Sequence, residues 1–596
     1  MNRFLAVPAL LAALAMTLVG VPAAAQTSHT VDNGIVVESF DGTPIVGNLF
    51  LPAGAADGAH EAVLITHGWG GSGQATIGGF VETLLNDGYI VFTWDQRGFG
   101  CSGGTVQVDH NQVEGRDVSA IIDWLVANVP QLRLEDGDPV IGMNGGSYAG
   151  GIQTAAASVD DRIDAITPEI SWVDLRYSLF GGGVPNVGWS LLLYGAGLAT
   201  ATGIGLDPTC PAGPQTGTLA PEISQALIEG STLTELSESS QQFFAERSLA
   251  WYGAAERSEP MVVDIPTLVI NGSVDTLFDL TDGAGIFHHV RATGAPAEYI
   301  AFCGGHVACP ASYTTPDVSD GEYVDAAVLA WFQRWLRGDT SVDTGPVVEY
   351  RTNAGVWKSA DNFDEEMDGV MVASGSADGL PALPVLDTSL SLTNAVPGDR
   401  SLPFSQFTEV AEACGGPIEI VGLPRISGSL ELTGTETHLF FRLIHREADE
   451  AINLQESAIR MTGSGDFDLL MSGVAYTIPE GDHLDLEVST SSAMHRPITG
   501  ASISSVDWEL RIPMVASSLD TVCGAEVVPT GGVSGGSDED PPAQPDGGSG
   551  LPATGGGLAA LGLMALAVGA AAAARFRNPF TRRTSRRGAP AKRVRP

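Results

Sequence analysis

Three residues of this chain have the type and setting for nucleophilic acyl transfer: Ser147, Asp275 and His306. Ser147 lies in Asp138-Pro-Val-Ile-Gly-Met-Asn-Gly-Gly-Ser147-Tyr148-Ala-Gly150-Gly151, where an apolar run reads as a buried strand, the glycine pair as a tight turn, and Tyr148 to Ala157 as a helix. A strand-turn-helix corner with glycines on both sides exposes a serine hydroxyl at a sheet edge. The stretch lacks the Gly-Lys-Ser/Thr ending of a phosphate-gripping loop. A serine hydroxyl is weak at its own pKa, so it needs a base, an acid to orient that base, and donors for the oxyanion. Asp275 follows the apolar run Leu268-Val-Ile-Asn and His306 follows Glu298 to Phe302, so both sit in loops at strand ends. Asp279 and Asp282 are rivals for the acid. His288 and His289 are rivals for the base, although Phe287-His-His-Val290 reads as a helix packed on a sheet. The oxyanion donors expected are two backbone amides, that of Tyr148 and that of Trp69 in His67-Gly68-Trp69. His67 itself is read as structural, and Asp95 and Arg97 as holding the loop that carries Phe99, Cys101 and Ser102.

These residues need a scaffold, and the periodicity supplies one. Val31 to Pro52 reads as an antiparallel hairpin around Asp41-Gly42-Thr43, followed by a strand at Ala62 to Thr66, a helix at Gly79 to Asp87 and a strand at Tyr89 to Trp94. An amphipathic helix over Asn111 to Asn128, with Val118, Ile121, Ile122 and Leu125 at helical spacing, precedes the strand into Ser147. Strands at Ile163 to Ile170, Thr267 to Asn271 and Glu298 to Phe302 continue the pattern, and Ala326 to Leu336 closes it. Strands separated by helices imply a parallel sheet covered on both faces, with ligands at the carboxyl ends of its strands. The order Ser, Asp, His on such a sheet is that of an α/β-hydrolase, placed at residues 26–345. Residues 172–260 lack strand alternation and predict an inserted helical cap, as long insertions of this kind are often lids. The cap aromatics Trp172, Tyr177, Trp189, Tyr194, Trp251 and Tyr252 are candidates to shape the substrate pocket or to form the cap's own core. From Pro346 to Val528 short alternating runs, the first being Val347 to Thr352, predict an all-β sandwich.

Both ends look like processing signals. Residues 1–25 carry Arg3, an apolar run and a small-residue ending, which fits a secretory signal peptide. Residues 529–550 form a Gly/Ser/Pro/Asp spacer. Leu551-Pro-Ala-Thr-Gly555, an apolar run to Ala574 and a basic tail then follow in the order of the sorting signal of Gram-positive surface proteins. That resemblance implies that a sortase cuts between Thr554 and Gly555 and joins the threonine to peptidoglycan, with the membrane met only transiently. A plain membrane anchor with a basic tail is the alternative. The two ends hold ten cations and no acid, so removing them takes the formal charge from −42 to −52. So acidic a surface repels nucleic acid and anionic lipid. The six cysteines show no Cys-x-x-Cys metal spacing, and neither a metal nor a cofactor is expected. In a secreted chain they suggest disulfides, and the pairing expected is Cys303 with Cys309, Cys414 with Cys523 and Cys101 with Cys210.

Gly145-Gly-Ser147-Tyr148-Ala-Gly150, the loop Asp95-x-Arg-Gly-x-Gly-x-Ser-Gly103, Gly272-x-x-Asp275 and the helix end Trp331-Phe-Gln-Arg-Trp-Leu-Arg-Gly338 together resemble the Xaa-Pro dipeptidyl-peptidase and cocaine esterase family. The resemblance spans about Val36 to Met514. It implies an α/β-hydrolase with a helical cap and a C-terminal jelly-roll sandwich, performing serine acyl transfer on esters or on peptides with proline at the second position. The cocaine esterase branch takes an oxyanion donor from a tyrosine side chain, where this chain has His67-Gly68-Trp69. A dipeptidyl peptidase also needs a carboxylate for the substrate's free amine, for which Glu169 and Asp174 are the candidates. The function expected is therefore a secreted, wall-anchored serine hydrolase acting on a small ester or peptide. The competing expectation is a surface adhesin or glycan-binding protein with an idle hydrolase domain.

Overall fold

The computed structural model describes residues 28–530, apart from 204–208, 216, 234, 256, 317, 381–404, 453, 493 and 499–500. The expected signal peptide, nearly all of the spacer, and the sorting signal with Thr554 and Gly555 lie outside the described residues. Among the described residues no helix is long and apolar enough to cross a membrane.

Strands rich in β-branched and aromatic residues, such as Ala62–Ile65 and Ile90–Trp94, build a ten-stranded sheet. Its order is Thr30–Glu38, Pro44–Leu51, Ile90–Trp94, Ala62–Ile65, Ile141–Gly146, Ala165–Glu169, Thr267–Gly272, Ala297–Phe302, Val348–Arg351, Trp357–Ala360. The six junctions from Ile90–Trp94 to Val348–Arg351 are parallel, and the strands outside them run antiparallel. Both faces are covered. Ile121, Ile122 and Leu125 of the helix Glu114–Asn128 pack with Met143 and Val269 on one side, and Leu84, Trp331 and Phe332 pack with Val63 and Ile300 on the other.

One boundary differs from expectation. Val347 to Thr352 reads in sequence as the first strand of the sandwich, yet Val348–Arg351 pairs parallel with Ala297–Phe302 and extends the hydrolase sheet. Trp357–Ala360 then folds back on it as an antiparallel edge. Alternation in so short a run does not say which sheet a strand joins, because either sheet offers one buried face. The all-β part therefore starts after Ala360 rather than at 346. It consists of a seven-stranded and a six-stranded sheet that share one core, with Ile420 and Trp508 from the first and Leu443 and Leu486 from the second. The hydrolase is tied to it by Tyr350 Oη donating to Glu419 (2.7 Å) and by Asn353 exchanging hydrogen bonds with Thr477 (3.1 and 2.8 Å).

The described residues between 172 and 260 hold the helices Leu175–Phe180, Val187–Gly203, Pro221–Ile228, Glu238–Ala245 and Leu249–Tyr252, which make a helical cap. Four contacts among the described residues help to hold it. The Cys101–Cys210 disulfide and the pairing of Thr218–Leu219 with Thr105–Val106 join it to the body. Gly188 N donates to Met494 O (2.9 Å), and Arg460 pairs with Glu235 (2.9 Å), bracing it against the β domain. The other two disulfides are Cys303–Cys309 and Cys414–Cys523, so all three expected pairings are present.

Arg97 and Asp95 hold the loop after Ile90–Trp94. Arg97 sits 2.6 Å from Asp117 and 2.8 Å from Asp41, with the Arg97 and Asp117 side chains only 4% and 3% exposed. Asp95 accepts from Gly73 N (2.6 Å) and Cys101 N (2.7 Å). Burial pushes the Asp117 carboxyl up, and the guanidinium pulls it back. Arg97→Ala leaves that carboxylate buried without a counter-charge, so unfolding free energy should fall by about 3–5 kcal/mol. The midpoint of a urea titration reads this out, and an unchanged midpoint would contradict it.

Candidate active site

The strand Ile141–Gly146 delivers the chain to Ser147, and the helix Tyr148–Ala157 carries it away. The corner is sharp: Ser147 has φ 61° and ψ −122°. Two glycines make it possible. At Gly145 (φ 144°) a Cβ would lie 2.7 Å from Ala149 Cβ, and at Gly151 it would lie 2.1 Å from the Trp172 ring. Four of the seven described non-glycine residues with positive φ, Val108, Asp109, Ser147 and Ile170, gather around this corner. Strain concentrated in this way marks functional sites.

The three residues singled out for chemistry meet here. His306 Nε2 is 2.8 Å from Ser147 Oγ, and His306 Nδ1 is 2.7 Å from Asp275 Oδ2. The carboxylate next to Nδ1 assigns the ring proton to that nitrogen and leaves the Nε2 lone pair toward the hydroxyl. Asp275 is fixed by backbone amides: Leu277 N (2.7 Å) and Phe278 N (3.1 Å) donate to Oδ1, and His306 N (2.9 Å) donates to Oδ2. Gly305, at φ 125°, lets the two loops touch, since a Cβ there would fall 2.5 Å from Asp275. The Cys303–Cys309 disulfide closes the same short loop around His306. The rings of Trp189 and Phe278 stand edge-on to the imidazole at 5.7 and 5.2 Å.

The rivals lie elsewhere. Asp279 caps the helix Leu280–Thr293 and accepts from Tyr177 Oη (2.9 Å), while Asp282 accepts from Val173 N (3.0 Å) and Ser178 Oγ (2.8 Å). His288 is on that helix, 2.8 Å from Phe363 O. His67 is structural, accepting from Gln96 N at Nε2 (2.9 Å), and burial lowers its pKa.

At the candidate oxyanion donors, a Cβ on Gly68 would lie 3.8 Å from Ser147 Cβ, which puts this loop against the elbow. Among the described residues the Trp69 amide has no acceptor, and the Tyr148 amide opens a helix whose N-terminal dipole favours negative charge. The Trp69 side chain reaches the cap, donating from Nε1 to Leu193 O (2.7 Å).

In front of Ser147 a pocket runs into the cap, with about 890 Å³ of empty space when its open mouth is counted. Trp69, Tyr148, Trp172, Tyr194, Leu277 and Phe278 are among its walls. Of the cap aromatics, Trp172 and Tyr194 line the pocket, and Trp189 sits beside it on His306. Tyr177 and Trp251 do not belong to it. The Tyr177 hydroxyl is spent on Asp279, and Trp251 faces the Arg176 and Arg257 guanidinium groups at 5.7 and 5.5 Å. Tyr252 is in the core beneath, donating to Thr154 Oγ1 (3.1 Å). In each case a polar or charged partner draws the ring away, Asp279 and Thr154 on the body and Arg176 and Arg257 within the cap, and composition alone does not display such partners.

Neither candidate for holding an amine lines the pocket. Glu169 accepts from Asn144 Nδ2 (2.8 Å), its carboxyl pushed up to about 7 by burial, and Asp174 caps a cap helix and pairs with Arg176 (2.6 Å). Leu277 and Phe278 were not foreseen. Their place in the loop directly after Asp275 is the signal that could have found them.

A parallel sheet with an antiparallel start, helices on both faces and a nucleophile elbow at a strand end defines an α/β-hydrolase-like fold. Residues 22–308 match the model of the X-Pro dipeptidyl-peptidase (S15) family. Among curated proteins, the uncharacterized protein YcjY of Escherichia coli (strain K12) is 29% identical over 128 residues, covering 21% of this chain and 40% of that protein. The chain thus spans about two fifths of the length of this relative. An aminopeptidase from a marine sediment Thaumarchaeota archaeon shares the fold with a TM-score of 0.58 at 13% identity, over 87% of this chain and 99% of that one. A CocE/NonD family hydrolase from Staphylococcus aureus does so with a TM-score of 0.54 at 14% identity, over 81% and 94%. The family match over residues 22–308 supports a hydrolase, and the two solved structures share its architecture.

Proposed function

We propose that this chain is an exported serine hydrolase that forms an acyl-enzyme on Ser147 and acts on carboxyl esters whose acyl group carries no charge. The observation that carries the reading is the Ser147–His306–Asp275 hydrogen-bond relay opening on a pocket with no charged residue among its described walls. In this mechanism Ser147 Oγ attacks the ester carbonyl as its proton passes to His306 Nε2, with Asp275 stabilising the imidazolium. The Trp69 and Tyr148 amides receive the oxyanion. The imidazolium then protonates the leaving alcohol oxygen as the C–O bond breaks, and a water deprotonated by His306 releases the acid.

Esters are favoured over Xaa-Pro amides because a dipeptidyl substrate would bring its ammonium into an apolar pocket without a partner, at a cost of several kcal/mol. Export is supported by three disulfides, which persist in oxidising compartments, together with the signal-like residues 1–25. In this reading sortase cleavage after Thr554 attaches the protein to the wall, and the β domain is a jelly roll that buttresses the cap. The test is incubation of residues 26–528 with p-nitrophenyl esters, with Gly-Pro and Ala-Pro p-nitroanilides and with a fluorophosphonate. Ester hydrolysis with labelling of Ser147 is expected. Preferential anilide cleavage would overturn the ester assignment, and the absence of both labelling and turnover would overturn the enzyme.

A further inference from the structure

We infer that the cap pocket is a site for a neutral alkyl chain, so that the preferred substrates are esters of medium-chain fatty acids. This deepens the serine-hydrolase reading and rests on it. The pocket's walls combine rings, among them Trp69, Trp172, Phe244 and Phe278, with aliphatic side chains from the cap: Leu175 and Leu179 from one helix, Ile223 and Leu227 from another, and Leu236 after them. The few polar groups on its walls are already engaged. Ser190 Oγ donates to Asn186 O (2.7 Å), Tyr194 Oη shares a hydrogen bond with Ser224 Oγ (3.2 Å), and Ser231 Oγ donates to Ile228 O (3.3 Å). Apart from Ser147, then, the described walls offer a substrate almost nothing but apolar contact, which selects a chain that asks for no hydrogen bond.

The apolar character also continues outward. The helix Pro221–Ile228 runs into the π-helical turn Glu229–Leu233, which brings Gly230 and Ser231 to the pocket wall and leaves Ile228 and Leu233 on the outer surface, 60% and 66% exposed.

Each methylene moved from water into such a site is worth about 0.8 kcal/mol, or about fourfold in kcat/KM when the contact persists in the transition state. The experiment is a series of p-nitrophenyl acetate, butyrate, hexanoate, octanoate and decanoate, with the 8-aminooctanoate ester as the charged counterpart. Octanoate is expected to exceed acetate by at least about 100-fold in kcat/KM, and the ammonium at the chain end should abolish most of that gain. Ala226→Phe and Ser231→Phe, which narrow the pocket from two different elements, are expected to lower the octanoate-to-acetate ratio by about tenfold or more. Hydrolysis of acetate with a flat or falling chain-length profile, or with the charged ester turned over as well as octanoate, overturns the alkyl site while leaving the hydrolase standing. So does an unchanged ratio in both variants. Loss of every ester activity together with failure of fluorophosphonate labelling overturns the hydrolase reading and, with it, this one.

Discussion

Ser147→Ala is expected to lower kcat for every ester by about 10⁶-fold while the protein stays folded. The size follows from the role. The hydroxyl is the atom that forms the bond, and removing the nucleophile of a relay costs about as much as removing the whole relay. What survives is the roughly 10³- to 10⁴-fold acceleration over water that oxyanion donors and binding supply by themselves. Folding is preserved because Ser147 contributes to structure through its backbone. Its amide donates to Glu169 O (2.9 Å), and its carbonyl accepts from Gly150 N and Gly151 N (2.8 and 3.1 Å), all bonds that alanine keeps. Alanine must still occupy φ 61°, but serine bears a similar strain there. A thermal unfolding curve within a few degrees of wild type, alongside loss of turnover and of fluorophosphonate labelling, is the expected pair of results. Turnover within tenfold of wild type would remove Ser147 from the chemistry.

Asp275→Asn is the second large effect, at about 10⁴-fold in kcat. The carboxylate beside Nδ1 sets which nitrogen carries the proton. An amide NH₂ at the Oδ2 position would face both the His306 ring nitrogen and the His306 backbone N–H, which now donate or point toward that oxygen at 2.7 and 2.9 Å. The ring answers by taking the other tautomer, with its proton on Nε2 against Ser147, and the base is lost. The stranded His306 amide adds a stability cost of about 1–3 kcal/mol. The oxygen that accepts from Leu277 and Phe278 remains, so the loop keeps most of its shape. Asp279→Asn is the matched control, because that residue serves Tyr177 and the helix cap. It should leave kcat within a few fold, and the reverse ranking of the two variants would assign the acid to Asp279 instead.

Ser147, Asp275 and His306 were legible in the sequence because each stands where a buried apolar run ends, and an α/β sheet gathers such ends on one edge. The helix Tyr148–Ala157 was legible for the same reason: the glycines that admit the turn also mark its start. The disulfides followed from nearness, six residues in one case, and from two pairings that the fold then accommodated. What stayed hidden depends on contacts distant in sequence. Tyr177 and Trp251 look like pocket residues until Asp279, Arg176 and Arg257 are brought beside them. The cap's interior was readable as helix but not as a lined space, since the wall is assembled from several helices that each give at most four residues to it. Val348–Arg351 joined a different sheet because a four-residue strand carries too little pattern to name its partner.

That last strand has a bearing on how the protein matures. The elbow's strand is complete by Gly146, but the strand that leads to His306, Ala297–Phe302, has its outer neighbour only once Val348–Arg351 has been made. Arg351 then reaches back to Asp320 (3.0 Å), and Tyr350 and Asn353 reach forward to Glu419 and Thr477. A chain emerging from its amino terminus thus acquires its nucleophile early and the support of its base late, when the β domain is already following. The hydrolase half cannot be severed at residue 346 without baring the edge of the strand that leads to its histidine.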